Sequence, residues 1–270
     1  MSEMRLVVLG AGGRMGRMLV KAVLSDAQTL LYRAVARPGS AFVGQDPALL
    51  AGLPPGDIRI GDDLDAALDG ADGVLDFTTP EATLALARKT GERGIAHIVG
   101  TTGFSAEQFA ELREVTRKTR IVQSGNMSLG VNMLAALVRR AARALGPEWD
   151  IEVLEMHHRM KVDAPSGTAL LLGEAAAAGR AIDLAERSVR SRDGHTGARQ
   201  AGDIGFATLR GGSVVGDHSV IFATDGERVT LAHHAEDRGL FARGAIRAAL
   251  WVRDQPPGYY AMSDVLGLSD

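Results

Sequence analysis

Cysteine is absent from this 270-residue sequence. Its absence excludes disulfides, thiolate nucleophiles and cysteine-based zinc sites, and it suits a reducing cytoplasm. Charge of one sign is not in excess either. The formal net charge is −3, which gives no electrostatic footprint for nucleic acid. Long hydrophobic runs are missing as well. The opening MSEMRLVVLGAGG has a short apolar run ended by glycines, expected to be too short for a signal peptide or a membrane span. No other segment approaches bilayer length, so no membrane partner is expected. There is no internal repeat, and the one low-complexity tract, Ala175 to Ala178, reads as plain helix. What is present is an ordinary apolar content of 46%, enough for a core, over a length that allows one large domain or two small ones.

The first half alternates short apolar runs with amphipathic segments. Arg5–Leu9, Leu30–Ala36, Gly73–Phe77, Ala96–Val99 and Ile121–Gln123 read as strands, and Arg17–Leu24 and Glu81–Arg93 as helices. Ser105 and Gln108 form the capping box of a further helix. Such alternation predicts βαβ units and a mostly parallel sheet, which binds ligands at the carboxyl ends of its strands. The loops GAGGRMG, FTTP, GTTG and SGNMS fall at those ends. Gly10–Gly16 reads as a glycine turn between the first strand and the first helix. Residues without side chains let the backbone approach a pyrophosphate there, and the helix N-terminus turns its N–H groups and positive dipole end toward it. The spacing is not strict, because Met15 precedes Gly16; the bland alternative is a tight turn with no ligand. An acid that would hold a ribose 2′-hydroxyl is missing after the second strand, where Val35-Ala36-Arg37-Pro38 stands. Arg37 could pair with a 2′-phosphate or be a solvated surface arginine; the first favours NADPH, with NADH possible.

The second half changes style. Gly130–Leu145 reads as a helix closed by Gly146-Pro147, and Asp150–Met156 as a strand. Ile204–Leu209, Val214–Phe222 and Arg228–Leu231 read as strands, with Asp225-Gly226 as a hairpin turn. A last helix, Arg238–Trp251, is expected to return to the first domain. The fold class is therefore α/β: a Rossmann-like parallel-sheet dinucleotide domain plus an α+β domain with an open mixed or antiparallel sheet. The expected division is 1–128 with 238–270 for the dinucleotide, and 129–237 for substrate and oligomerisation, since an exposed sheet in a small domain needs covering.

The stretch EMHHRMKVDAPSGTA, Glu155 to Ala169, admits three readings. A metal site needs three or four convergent ligands, but His157 and His158 point to opposite faces of an extended chain. Only Glu152, Glu155 and Asp163 lie nearby, and Lys161 adds a cation. No metal is expected. A packed structural corner explains Asp163-Ala164-Pro165 but not His157 and Lys161 four residues apart. A cradle for an anionic substrate explains most. Pro165-Ser166-Gly167-Thr168 opens a helix running to Gly179, whose first N–H groups and the Thr168 hydroxyl suit a carboxylate. Lys161 and a histidine add charge and a proton source. Hydride from a nicotinamide with a proton from the protein is a reduction.

Together these motifs resemble one family, the dihydrodipicolinate (4-hydroxy-tetrahydrodipicolinate) reductases of bacterial lysine and diaminopimelate synthesis. The resemblance runs over nearly the whole chain: GAGGRMG, Asp76–Glu81 (DFTTPE), Gly100–Gly103 (GTTG), Asn126–Asn132, Glu155–Ala169, Gly194–Gly197 and Ile204–Gly212, in order. It implies loss of water from a 4-hydroxy cyclic dicarboxylate and reduction of its ring by NAD(P)H. It also implies that Gly10, Ala11, Gly12, Gly13, Arg14 and Met15, with Gly100, Thr101 and Thr102, hold the dinucleotide. Ser124, Gly125, Asn126 and Met127 would lie by the nicotinamide. His157 would be the proton donor/acceptor, Lys161 the proton donor to the reduced enamine, and His158, Gly167 and Thr168 the substrate-carboxylate grip. A cytoplasmic homotetramer is implied too. One departure stands out: Ala36 occupies a place where many members carry an acid, which argues for NADPH over dual use. Two rivals are a dehydrogenase of another small amino or hydroxy acid and a non-catalytic dinucleotide-binding sensor.

Overall fold

The structure is a computed structural model that describes residues 2–268. The chain forms two compact units, 1–129 with 239–270, and 130–238.

The first unit is built on β1 (Met4–Leu9), α1 (Arg14–Leu24), β2 (Thr29–Val35), α2 (Pro47–Leu50), β3 (Ile60–Gly61), α3 (Leu64–Leu68), β4 (Gly73–Asp76), α4 (Pro80–Arg93), β5 (Ala96–Val99), α5 (Ala106–Val115) and β6 (Arg120–Gln123). The second unit takes up α6 (Leu129–Leu145), β7 (Asp150–His157), α7 (Gly167–Arg180), α8 (Leu184–Arg187), β8 (Ser188–Val189), β9 (Ile204–Arg210), β10 (Gly216–Thr224) and β11 (Glu227–Ala235). The chain then re-enters the first unit with α9 (Gly239–Val252), β12 (Gly258–Tyr260) and α10 (Met262–Val265).

Seven strands of the first unit form one sheet in the order β12-β6-β5-β4-β1-β2-β3, every pair parallel. The order reverses between β1 and β4, which is where doubly wound sheets open a ligand crevice at their carboxyl edge. The strands are apolar on both sides because helices cover both faces. On β1, Leu6 and Val8 face a core shared with α1 and α9, while Val7 faces a second core with Leu68 and Leu86. Full burial of each such side chain contributes about 1.5–3 kcal/mol.

The glycine segment differs from its sequence reading. The turn is only Gly10–Gly13, and α1 begins at Arg14 rather than Arg17. Gly13 is the extended N-cap, and its carbonyl already accepts the Arg17 N–H at 3.0 Å. Gly16 thus lies inside the helix. The Ser105–Gln108 capping box forms in both directions.

In the second unit five strands run β11-β10-β7-β9-β8. The sheet is mixed: β7, β9 and β8 are parallel, whereas β10 is antiparallel to both β7 and β11. One core, including Val138, Val153, Leu172, Phe206, Val220 and Phe222, lies between the sheet and helices α6 and α7. Strand β11 extends four residues past the expected Leu231, to Ala235; the added Ala232-His233-His234-Ala235 carries no apolar alternation to announce it. Asp225-Gly226 joins β10 to β11, with Gly226 at φ +84°.

Candidate functional site

In the first unit, parallel strands bring the loops after β1, β4, β5 and β6 to one edge. Gly10 takes φ +61° and accepts the Gly13 N–H at 2.8 Å, closing the turn. A Cβ on Gly16 would sit 2.1 Å from the Gly10 carbonyl, and one on Gly12 would sit 2.3 Å from the Phe42 ring. Ala11, Gly12 and Gly16 are buried, while Gly10, Gly13 and Arg14 are exposed and Met15 half-buried. No side chain caps α1, and its first turn holds no acid. An uncapped helix start behind a bare glycine turn fits a dinucleotide pyrophosphate.

Gly100 donates its N–H to the Asp76 carbonyl at 2.8 Å, and a Cβ on it would strike the Phe77 ring. Thr101 is buried; its hydroxyl oxygen accepts from the Thr78 N–H at 3.1 Å and the Thr83 hydroxyl at 2.9 Å. Thr102 is exposed. Beneath these loops Asp76 and His97 are fully buried and paired at 3.1 Å. Burial pushes the Asp76 carboxyl up, but the hydrogen bond and charge of His97 and the bonds from Thr78 and Thr83 outweigh it and hold it low. After β6 the Ser124 hydroxyl donates to the Asn126 carbonyl at 2.7 Å, and the Asn126 Oδ1 accepts the Ser128 N–H at 2.9 Å. Gly125 is exposed and Met127 buried, with the Met127 carbonyl packed against Gly244 of α9. Arg37 is exposed just beyond β2, and among the described residues no carboxylate pairs with it.

In the second unit the site grows from β7. Its inward residues alternate: Ile151 and Val153 enter the core, and Glu155 and His157 continue the same face toward the strand's end. Glu155 is 1% exposed. Its carboxylate accepts from His157 Nδ1 at 2.5 Å, from Arg210 Nη1 at 2.7 Å and Nη2 at 3.0 Å, and from the Ser166 N–H at 3.0 Å. Burial pushes this carboxyl up, and the bonds from Arg210, His157 and Ser166 more than reverse it. Arg210 ends β9, opposite His157 in the parallel register, and also donates to the Asp163 carbonyl at 2.7 Å.

Ser166 is the N-cap of α7. Its oxygen accepts the Ala169 N–H at 3.1 Å and meets His218 Nε2 at 3.1 Å. The His218 ring stands edge-on to that of His157, centroids 5.0 Å apart. Burial, then the charge of His157, pushes His218 down to about 4. Gly167 is exposed with open space beside its Cα, and Thr168 is half-buried. His158 turns the other way: its N–H donates to the Val214 carbonyl at 2.7 Å, and its Nε2 meets Arg238 Nη2 at 3.0 Å. Arginine only donates, so Nε2 of His158 accepts. Lys161 holds both oxygens of Asp163, at 2.8 and 2.9 Å. His157 and Lys161 thus take different partners, Glu155 and Asp163, which Arg210 bridges.

Glu155, Asp163, Ser166, Arg210, His218 and Arg238 were not among the site residues read from sequence. The sequence offers Glu155 as a candidate metal ligand and Asp163 as that or part of a structural corner, yet the Glu155 oxygens are filled by N–H donors. The signal for Glu155 was its two-residue spacing from His157 on a strand. Arg210, His218 and Arg238 arrive through long-range pairing that no local pattern encodes. Among the described residues, no group of three or more His, Asp or Glu side chains is placed to hold a metal ion, and no helix is long and apolar enough to cross a membrane.

Comparisons with known proteins cover both units. Residues 4–127 match the family model "Dihydrodipicolinate reductase, N-terminus", and residues 130–266 match "Dihydrodipicolinate reductase, C-terminus". A 4-hydroxy-tetrahydrodipicolinate reductase of Rhodopseudomonas palustris (strain BisB18) is 59% identical over 270 residues, covering 100% of both chains. One from Rhizobium rhizogenes is 60% identical over 98% of this chain and 97% of its own. Among solved structures, the dipicolinate-bound dihydrodipicolinate reductase of Paenisporosarcina sp. TG-14 shares the fold, with TM-score 0.76 over 96% of this chain and 97% of that one at 22% identity. With both halves matched in order and relatives aligned end to end, the chain belongs to the dihydrodipicolinate reductase family, the NAD(P)H-dependent oxidoreductases of lysine and diaminopimelate biosynthesis that act as 4-hydroxy-tetrahydrodipicolinate reductases.

Proposed function

We propose that this reductase binds its cyclic dicarboxylate at the β7–α7 segment, prefers NADPH, and draws its proton from Lys161 or His157. The observation that carries this reading is a continuous line of contacts within the second unit. Lys161 grips Asp163, whose carbonyl takes Arg210; Arg210 grips Glu155, which takes His157 and the N–H of Ser166, the cap of α7. Two groups able to release protons therefore flank a helix start with open space at Gly167, which suits a carboxylate. His158, Gly167 and Thr168 are the expected grip, with Arg238 added through His158.

The glycine turn, Thr101 with Thr102, and the Ser124–Met127 loop would hold the dinucleotide, which when bound supplies the hydride. Arg37, unpaired among the described residues, would receive the 2′-phosphate. The homotetramer and the cytoplasmic location rest on the family resemblance. The open face of the second unit's sheet, with Leu209 at 48% exposure, would serve as the contact between subunits.

Lys161→Ala tests the assignment. Turnover should fall by roughly 10²–10⁴-fold, the usual contribution of a proton-transfer group, while NADPH affinity stays nearly constant. Unchanged turnover would remove Lys161 from the chemistry.

A further inference from the structure

We propose that Glu155 and Arg210 are positioning residues of the proton step: together they keep a proton on Nδ1 of His157 and leave Nε2 as the atom that exchanges a proton with substrate. The assignment rests on the reading of His157 given above, and it adds two residues and an atom to it.

The argument begins with what each oxygen of Glu155 can do. A carboxylate only accepts. Both oxygens are filled, Oε1 by Ser166 N–H and Arg210 Nη2, Oε2 by His157 Nδ1 and Arg210 Nη1. A ring nitrogen 2.5 Å from such an oxygen must be the one carrying hydrogen. The other nitrogen, Nε2, is the atom nearest to where a Cβ on Gly216 would stand, at 3.1 Å. Glycine at 216 thus leaves room beside the exchanging atom. His157 is only 8% exposed, so the imidazole is a largely buried group.

Arg210 has a separate part. A lone buried carboxylate beside the ring would favour imidazolium strongly, and a permanently charged ring cannot take a proton back. The bidentate guanidinium neutralises Glu155 while leaving it able to accept from Nδ1. Ser166 gives the arrangement its reach. Its N–H binds the same carboxylate, so one buried group ties the proton-exchanging imidazole to the helix start that faces the substrate carboxylate. In the proton step the Nε2–H bond breaks, a bond from hydrogen to substrate forms, and a neutral ring with hydrogen on Nδ1 stays bonded to Glu155.

The titratable groups in contact with the ring are Glu155 on β7 and His218 on β10, with Arg210 of β9 on the same carboxylate. None of the others reaches Nδ1.

The test is the nitrogen chemical shifts of the imidazoles in the full-length ¹⁵N-histidine enzyme, followed from about pH 6 to about pH 9.5, a range spanning the ordinary histidine value. His157→Gln assigns the signal among the seven histidines. The expected result is that Nδ1 keeps its proton throughout and Nε2 is the nitrogen that loses it. Loss from Nδ1, or a ring that keeps both protons to the end, overturns the proposal, and this measurement needs no variant of Glu155.

Glu155→Gln adds a functional readout: kcat about a hundredfold lower, NADPH affinity within about threefold, and a mixed tautomer. Arg210→Lys keeps the charge and should keep both the Nδ1 proton and most of the turnover, whereas Arg210→Gln removes the neutralising charge, and kcat should fall with it. Full turnover in Glu155→Gln overturns the proposal. Full turnover in His157→Gln, with the expected tautomer in the unaltered enzyme, would instead remove His157 from the chemistry and with it the proton-step role of Glu155 and Arg210, leaving only their hold on the Nδ1 proton.

Discussion

At the scale of single residues, most of the proposed chemistry depends on which groups carry charge. His218 illustrates this through stability. Burial and the His157 charge push it down to about 4 from an ordinary 6.5. The unfolded chain therefore takes up a proton near pH 6.5 that the folded chain refuses until about pH 4. The unfolded state binds more protons across that window, so stability falls as pH drops through it, by roughly 3 kcal/mol from this group. Thermal melts of the unaltered enzyme should lose midpoint between pH 6.5 and 4, and His218→Gln should flatten that slope even if it melts lower at pH 7. Equal slopes would mean that His218 is not the group responsible. Arg37 offers a second residue-scale expectation. Its charge-assisted bonds to a 2′-phosphate would contribute about 1.5–3 kcal/mol. Arg37→Ala should therefore weaken NADPH by roughly 10- to 100-fold in a binding titration and leave NADH almost untouched. Equal weakening of both cofactors would end the 2′-phosphate role.

At the scale of elements, the local chemistry of turns and caps governs placement. Gly16 is the clearest case. It lies in the first turn of α1, directly against the Gly10 carbonyl, so Gly16→Ala brings a methyl to 2.1 Å of backbone that cannot yield. Overpacking of this kind costs about 1–3 kcal/mol, and urea melts should show at least that with weaker dinucleotide binding. A variant as stable as the parent would contradict the close approach. This element also shows what a sequence conveys and what it hides. Strands β1, β4, β5 and β6 were legible because buried parallel strands read as unbroken apolar runs. The Ser105 cap and the Asp225-Gly226 turn were legible because side chain and backbone demand are local. The start of α1 was misplaced by three residues because Gly13 can stand inside a turn or cap a helix, and only the bond from Arg17 decides. Elements such as β3, at two residues, and β12, at three, offer too few positions for a period to show.

At the scale of the whole molecule, the chain folds as two compact units. The sequence pattern foresaw one unit with a parallel sheet and another with an open sheet. It left undecided whether the second sheet was mixed, because the parallel pairing of β7 with β9 joins residues about fifty apart. The same pairing places Arg210 beside His157, which is why the candidate site was legible along Glu155–Ala169 but not across the sheet. The central claim is that the two units together reduce a cyclic dicarboxylate at the expense of NADPH. The most direct measurement is loss of reduced-nicotinamide absorbance while the upstream synthase generates substrate in place from pyruvate and aspartate semialdehyde, with NADPH and NADH compared side by side. Oxidation that depends on the synthase and runs faster with NADPH is the expected result. A folded enzyme that binds the dinucleotide yet oxidises neither cofactor would contradict the account.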